Sequence, residues 1–249
     1  MYRQFSRLQD LKAAQNLAVF IAVKRKSFKC LSTSRLNRDE TLNKTFALNF
    51  LHRTFALPAD YFVRKASGMQ PCKFLGKIHV VKNEGDEQRL VQEGVVCKDF
   101  ERQDALGMDL EYVNESPLQR ICLIQLASKE NAVLWTCNEG HFRDKLPPYL
   151  LSIITGNVLK VGHDLAQDVV LLQKNYGECT NNFVDTLTWA KEMNCDPLNL
   201  RAMCAIFLHE RLSKLLQQSD WSKDLTEKQI LYAATDAWAS LRVYEEMKR

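Results

Sequence analysis

The chain has 249 residues, of which 46% are hydrophobic and 26% charged, with a formal net charge of +4. This is ordinary globular composition, long enough to bury a sizeable core, and the charge points only weakly toward a polyanionic partner. No apolar run approaches the roughly 20 residues of a membrane span, and the best one, residues 17–23, ends in Lys24-Arg25-Lys26, the wrong order for a secretory signal.

The first 38 residues carry nine Lys or Arg and one acid, Asp10, with Ser and Thr frequent around 27–34. Such a start reads as a mitochondrial transit peptide; the alternatives are a basic arm that helps hold nucleic acid, or a nuclear signal at Lys24-Arg25-Lys26. Residues 40–57 place Leu42, Phe46, Phe50 and Leu51 at roughly helical intervals until Pro58, so a helix is expected there. A boundary near Cys72 then separates a basic extension, 1–71, from a folded domain, 72–249. That domain opens with a strand at 78–81 and a helix at 84–93. Strands at 105–112, 121–127 and 132–135 follow closely enough for an antiparallel meander. A helix at 146–155, a strand at 158–162, a helix starting at 168–174 and a strand at 183–185 come next, and the remainder reads as mostly helical. Strands first and crossover helices afterwards imply an α/β domain with a mixed sheet.

Eight cysteines are scattered with no C-x-x-C pair. That argues against a structural zinc site and for reduced thiols in an intracellular protein.

The chemistry begins at Asp109-Leu110-Glu111. Alternate residues of a strand face the same way, so the two carboxylates stand side by side. Two like charges on an apolar strand are costly unless a divalent cation joins them, and carboxylate oxygens suit Mg²⁺ or Mn²⁺. A second D-x-E, Asp99-Phe100-Glu101, lies in a polar stretch and reads as solvated surface. Tyr232 and Asp236 lie four apart on a helical stretch, hence on one face, among small residues that allow close packing on a sheet. Asp168 follows Lys160-Val161-Gly162-His163 at a strand-to-helix junction, where α/β folds place their sites. A helix-capping role is the plain alternative for Asp168, with Asp164 the better cap of the two.

Residues 73–249 resemble the ribonuclease D and Werner-type 3′–5′ exonuclease domains, the Tyr-containing branch of the DEDD superfamily. The first motif, D-x-E, falls on Asp109 and Glu111, and the following "aLiQla" strand on 122–127 with Gln125. The second motif falls on Lys160, Gly162 and Asp168, and the later "vDt..lA" on 184–190. The closing motif falls on Lys214, Trp221, Ser222, Leu225, Gln229, Tyr232 and Asp236. One departure is Tyr112, where the family usually has Trp.

The resemblance implies a ribonuclease H-like mixed sheet of five to six strands flanked by helices. It implies two divalent ions, Mg²⁺ or Mn²⁺, and a single-stranded 3′ end of DNA or RNA as partner. Asp109 would bridge the ions, with Glu111 and Asp236 on the water-activating one, Asp168 on the second and Tyr232 orienting the water. Leu110, Tyr112, Gln125 and His163 are candidate contacts to the terminal nucleotide. Lys160, Arg201, Lys214 and Lys223 are candidate phosphate contacts, each with an ordinary surface charge as the plain alternative. Trp221 reads as core. Two rivals stand beside this reading. His163 and Asp168 match the spacing of the His-containing branch, although that motif should come last. A scaffold with a nuclease fold would be expected to lose one of the five catalytic-type residues, all of which are present.

Overall fold

The computed structural model describes residues 45–50, 53–58, 68–115, 118–138, 140–177 and 182–249. The transit-peptide, basic-arm and nuclear-signal readings concern residues 1–38, which lie outside the described residues. Strands β1 (Thr45–Phe50) and β2 (Arg53–Pro58) pair antiparallel, with Phe46 opposite Leu57 and Leu48 opposite Phe55. This corrects the helix expected over 40–57. Phe46 and Phe50 fit a four-residue spacing, but with Leu48 they equally fit the two-residue period of a strand. Thr and Phe in the run then favour the strand.

In chain order there follow β3 (Gln70–Pro71), β4 (Lys77–Val81), α1 (Glu84–Glu93), α2 (Val95–Phe100), β5 (Ala105–Glu115), β6 (Leu118–Ala127) and β7 (Asn131–Thr136). The second half holds α3 (Pro148–Thr155), β8 (Leu159–Gly162), α4 (Leu165–Tyr176), β9 (Phe183–Asp185), α5 (Thr186–Glu192) and α6 (Leu200–Met203). A π turn at Cys204–Leu208, β10 (Glu210–Arg211) and α7 (Glu227–Lys248) complete it. Six strands form one sheet in the order β4-β7-β6-β5-β8-β9. β5, β6 and β7 are the antiparallel meander; β4 joins β7, and β8 and β9 extend β5, all in parallel. The short β3 pairs with β10, and Cys72 N–H donates to Arg211 O beside it.

Side-chain alternation sorts the sheet into two faces. Met108, Leu110, Ile124, Leu126, Val133 and Trp135 form one core with Leu90 of α1, Leu150 of α3 and Leu172 of α4. Leu123, Ala127, Ala132 and Leu134 face the other way, under Ala233, Ala234 and Ala237 of α7. The alanines let α7 lie close on the sheet. At Gly107 the approach leaves no room at all, since a Cβ there would meet Ala237 O at 2.0 Å. The helix is started by a capping box: Gln229 N–H donates to Thr226 Oγ1, and Thr226 N–H donates to Gln229 Oε1. Such a cap is worth about 1 kcal/mol and fixes where the helix begins.

Buried charges hold α3. Glu87, 4% exposed, accepts from Trp135 Nε1 and from the N–H groups of Tyr149 and Leu150 at the start of α3. Lys160, fully buried, donates to Ile153 O and Gly156 O at its end. An acid at a helix start and a cation at its end satisfy the free backbone groups and match the helix dipole. Asp99 also departs from expectation. It is half-buried and accepts from Asn131 Nδ2, Gln103 Nε2 and Ser128 Oγ, tying α2 to the β6–β7 turn. Because Asp99-Phe100-Glu101 lies at the end of a helix, its two acids do not share a face as those of a strand do.

Candidate active site

Asp109 and Glu111 project from β5 onto the α7 face, because Met108 and Leu110 beside them are committed to the opposite core. The β5–β6 register shifts immediately after Glu111, so that Tyr112 lies opposite Ile121 and Cys122 is the extra residue. Bulges re-aim the side chains that follow them. Tyr112 is accordingly 36% exposed at the rim, while Leu110 is buried. Across from β5, Tyr232 and Asp236 lie one turn apart on α7. Asp168 lies in the first turn of α4, which begins at Leu165, three residues before the expected start. Asp164 occupies the capping position in a left-handed conformation, φ 64°, but its side chain makes no capping bond. Its N–H instead donates to Asp185 Oδ1, which also accepts from Leu187 N–H at the start of α5.

Asp109, Glu111 and Asp236 each offer a carboxylate oxygen, all within 4.8 Å of one another. Asp168 stands outside that trio but lines the same cleft of about 850 Å³. Leu110, Tyr112, His163, Lys214 and Tyr232 line it too, along with Asn114, Gln167, Leu198, Asn199, Arg201, Gln217 and Gln218.

The electrostatics follow from crowding acids in a poorly hydrated cleft. Burial, and then the charge of Asp236, push Asp109 up to about 7. Burial, Asp109 and Asp236 push Glu111 up to about 10. Burial and Asp109 raise Asp168 well above the usual carboxylate range, and burial raises Asp236 against the pull of Lys214. Lys214 Nζ donates to Asp236 Oδ2 at 2.8 Å and sits 5.7 Å from the Tyr232 ring centroid. Burial works against its ammonium, yet Asp236, Asp109 and Glu111 hold its pKa above the ordinary value. Burial and the neighbouring Asp236 raise the Tyr232 hydroxyl, keeping it protonated. Asp236 Oδ1 is buried without a hydrogen-bond partner among the described residues.

The remaining sequence candidates divide. Lys214 is a member of the cleft, paired inside it. His163 lines the cleft, but both ring nitrogens are engaged, Nδ1 with Thr186 Oγ1 and Nε2 with Leu198 O. Burial lowers its pKa, so it pins the 198–201 wall as a neutral ring. Lys160 is not a phosphate contact: it is spent on the end of α3, and burial pulls its pKa down to about 8. Gln125 does not reach the cleft either. It is fully buried on β6, opposite Asp109, because α7 covers that row of the sheet. Lys223 is exposed, paired with Asp220, and away from the cleft. Trp221 is core, with its ring centroid 5.9 Å from that of Tyr232. The sequence reading missed the amide rim, Gln217, Gln218 and Asn199. Gln217 and Gln218 lie three and four residues after Lys214; Asn199 caps α6, its Oδ1 accepting from Ala202 N–H.

Residues 80–249 match the family model described as 3′–5′ exonuclease. Exonuclease 3′-5′ domain-containing protein 2 of Homo sapiens is 30% identical over 179 residues, which cover 68% of this chain and 28% of that protein. Ribonuclease D of Cronobacter turicensis is 28% identical over 159 residues, covering 61% of this chain and 41% of the relative. The chain thus spans well under half the length of either curated relative. Among solved structures, the catalytic core of RRP6 from Trypanosoma brucei superposes with TM-score 0.59 at 19% identity, covering 82% of this chain and 60% of that one. The Nibbler EXO domain of Aedes aegypti gives 0.57 at 19%, covering 69% and 87%. The expected ribonuclease H-like sheet is therefore the fold.

Proposed function

Because the match over residues 80–249 makes this chain a member of the 3′–5′ exonuclease family, of the DEDD type, we propose that it is a metal-dependent enzyme that hydrolyses phosphodiester bonds from the 3′ end of DNA or RNA. The observation that carries this reading is the trio of carboxylate oxygens within 4.8 Å, one of whose members, Asp236, keeps a buried oxygen without a partner. An all-oxygen donor set of this charge suits Mg²⁺ or Mn²⁺. Lys214 answers the other oxygen of Asp236, so Oδ1 is the buried atom left for a cation to satisfy.

Asp109, Glu111 and Asp236 would hold one cation, and Asp168 with Asp109 a second. Bound cations of this kind supply an acidified water and neutralise charge on the phosphate and on the leaving 3′ oxygen. Tyr232, protonated at neutral pH, would fix the direction of the attacking water through its hydroxyl and would not act as the base. Lys214 places a positive charge beside the acids, where an incoming phosphate needs one. Leu110 and Tyr112 would pack against the terminal nucleotide.

The test is an assay on 5′-labelled single strands, DNA and RNA in parallel, with Mn²⁺ or Mg²⁺. A ladder that shortens from the 3′ end is expected, lost with EDTA and in Asp109→Ala, and slowed about 100-fold in Tyr232→Phe. Binding without shortening would establish the scaffold reading instead. Unimpaired cleavage by Tyr232→Phe together with loss in His163→Ala would favour the His-containing mechanism.

A further inference from the structure

Three rows of side chains cross the α7 face of the sheet. Gly107, Ala127 and Ala132 form one, and Glu111, Leu123 and Thr136 another. Between them runs the row Asp109, Gln125, Leu134. Directly opposed residues of antiparallel strands stand on the same face, with Cβ atoms about 4.5–5.5 Å apart. Gln125 is therefore the immediate neighbour of Asp109, and it has no access to solvent. Neither its Nε2 nor its Oε1 has a hydrogen-bond partner among the described residues. A buried amide left unpaired costs free energy, and an apolar side chain of the same size would remove that cost. Of the α7 residues in the same core cluster, Ala233, Ala234 and Ala237 carry no polar side-chain atom, and Tyr232 lines the cleft. The polar group within reach across the strand pair is the Asp109 carboxylate.

We infer that Gln125 is a positioning residue: its amide, through one buried water, holds the Asp109 carboxylate in the orientation that meets Glu111 and Asp236. This rests on the exonuclease reading above and names a residue behind the cleft that the acids depend on. A carboxylate has more lone pairs than one cation takes, and the groups that hold those remaining set its direction. Gln125 Nε2 is a donor without a partner among the described residues.

The experiment uses the full chain and the substitutions Gln125→Met and Gln125→Leu, with wild type and Asp109→Ala as references. Thermal melts in EDTA, Mn²⁺ titration by calorimetry, and cleavage of a 5′-labelled strand are measured on each. Both Gln125 variants are expected to melt at or above the wild-type temperature in EDTA, since two unpaired polar atoms are gone. They are expected to bind Mn²⁺ about 10- to 100-fold more weakly, and to lose kcat with KM for the strand unchanged. Wild-type Mn²⁺ affinity and kcat in both variants would overturn the inference and leave Gln125 a core residue. Loss of folding in both would overturn it too, because the amide would then be holding the fold. Failure of the wild type itself to bind Mn²⁺ or cleave would instead strike the exonuclease reading.

Discussion

Asp109 shows how far single residues depart from their solution behaviour here. Its carboxyl is pushed up to about 7 by burial and the charge of Asp236, and that of Glu111 to about 10 by burial and the charges of Asp109 and Asp236. A raised carboxyl pKa means that the folded chain holds protons the unfolded chain has already released. Without metal, the contribution of these two acids to stability is therefore fully present below about pH 4 and is lost as pH rises through about 7 for Asp109, and on toward 10 for Glu111. For Asp109 alone the fall is on the order of 4 kcal/mol. Melting in EDTA from pH 5 to pH 9 should show a declining Tm, with Asp109→Asn flattening the decline and Mn²⁺ reversing it most at the alkaline end. A Tm that does not change with pH would contradict the crowding. Lys160 gives the opposite lesson. Its place in a K-x-G motif beside the site suggested a phosphate contact, yet it ends α3 from within the core. Lys160→Met should cost about 1–3 kcal/mol of stability by orphaning two carbonyls, while kcat/KM per folded molecule stays at the wild-type value. A selective rise in KM at full stability would restore the phosphate reading.

At the scale of elements, α7 carries the argument. Its Thr226–Gln229 capping box, its alanines and its Tyr232–Asp236 spacing are all visible in the sequence, and each has its physical meaning in the fold. What the sequence does not show is how closely the helix sits. That depends on Gly107, two residues before Asp109, where a methyl group would meet Ala237 O at 2.0 Å. Gly107→Ala should destabilise by about 2–3 kcal/mol, as overpacking does. Because α7 brings both Tyr232 and Asp236, the variant should also lose more activity than its melting curve explains. Wild-type kinetics in the folded fraction would show that the helix position is not critical. The first hairpin was misread for a related reason: Phe46, Leu48 and Phe50 satisfy two periods at once, and only pairing with 53–58 decides between them.

For the molecule as a whole, the meander, the crossover helices and all six strands of the sheet were legible from periodicity and turn signals, four of the strands to within one residue. β5 and β6 run about three residues further than read. The catalytic-type acids were legible because their spacing is tied to strand and helix periods. The rest was not, because it depends on contacts between distant segments: Glu87 reaching α3, Asp99 reaching the β6–β7 turn, His163 pinning Leu198, Gln125 lying behind Asp109. The central claim is that folding gathers acids from β5, α4 and α7 to hold divalent cations. Anomalous diffraction from crystals soaked in Mn²⁺ tests it most directly. The account predicts a manganese peak bounded by oxygens of Asp109, Glu111 and Asp236, absent in Asp109→Ala crystals. A cleft free of manganese at saturating soak, or a peak that persists in Asp109→Ala, would contradict it.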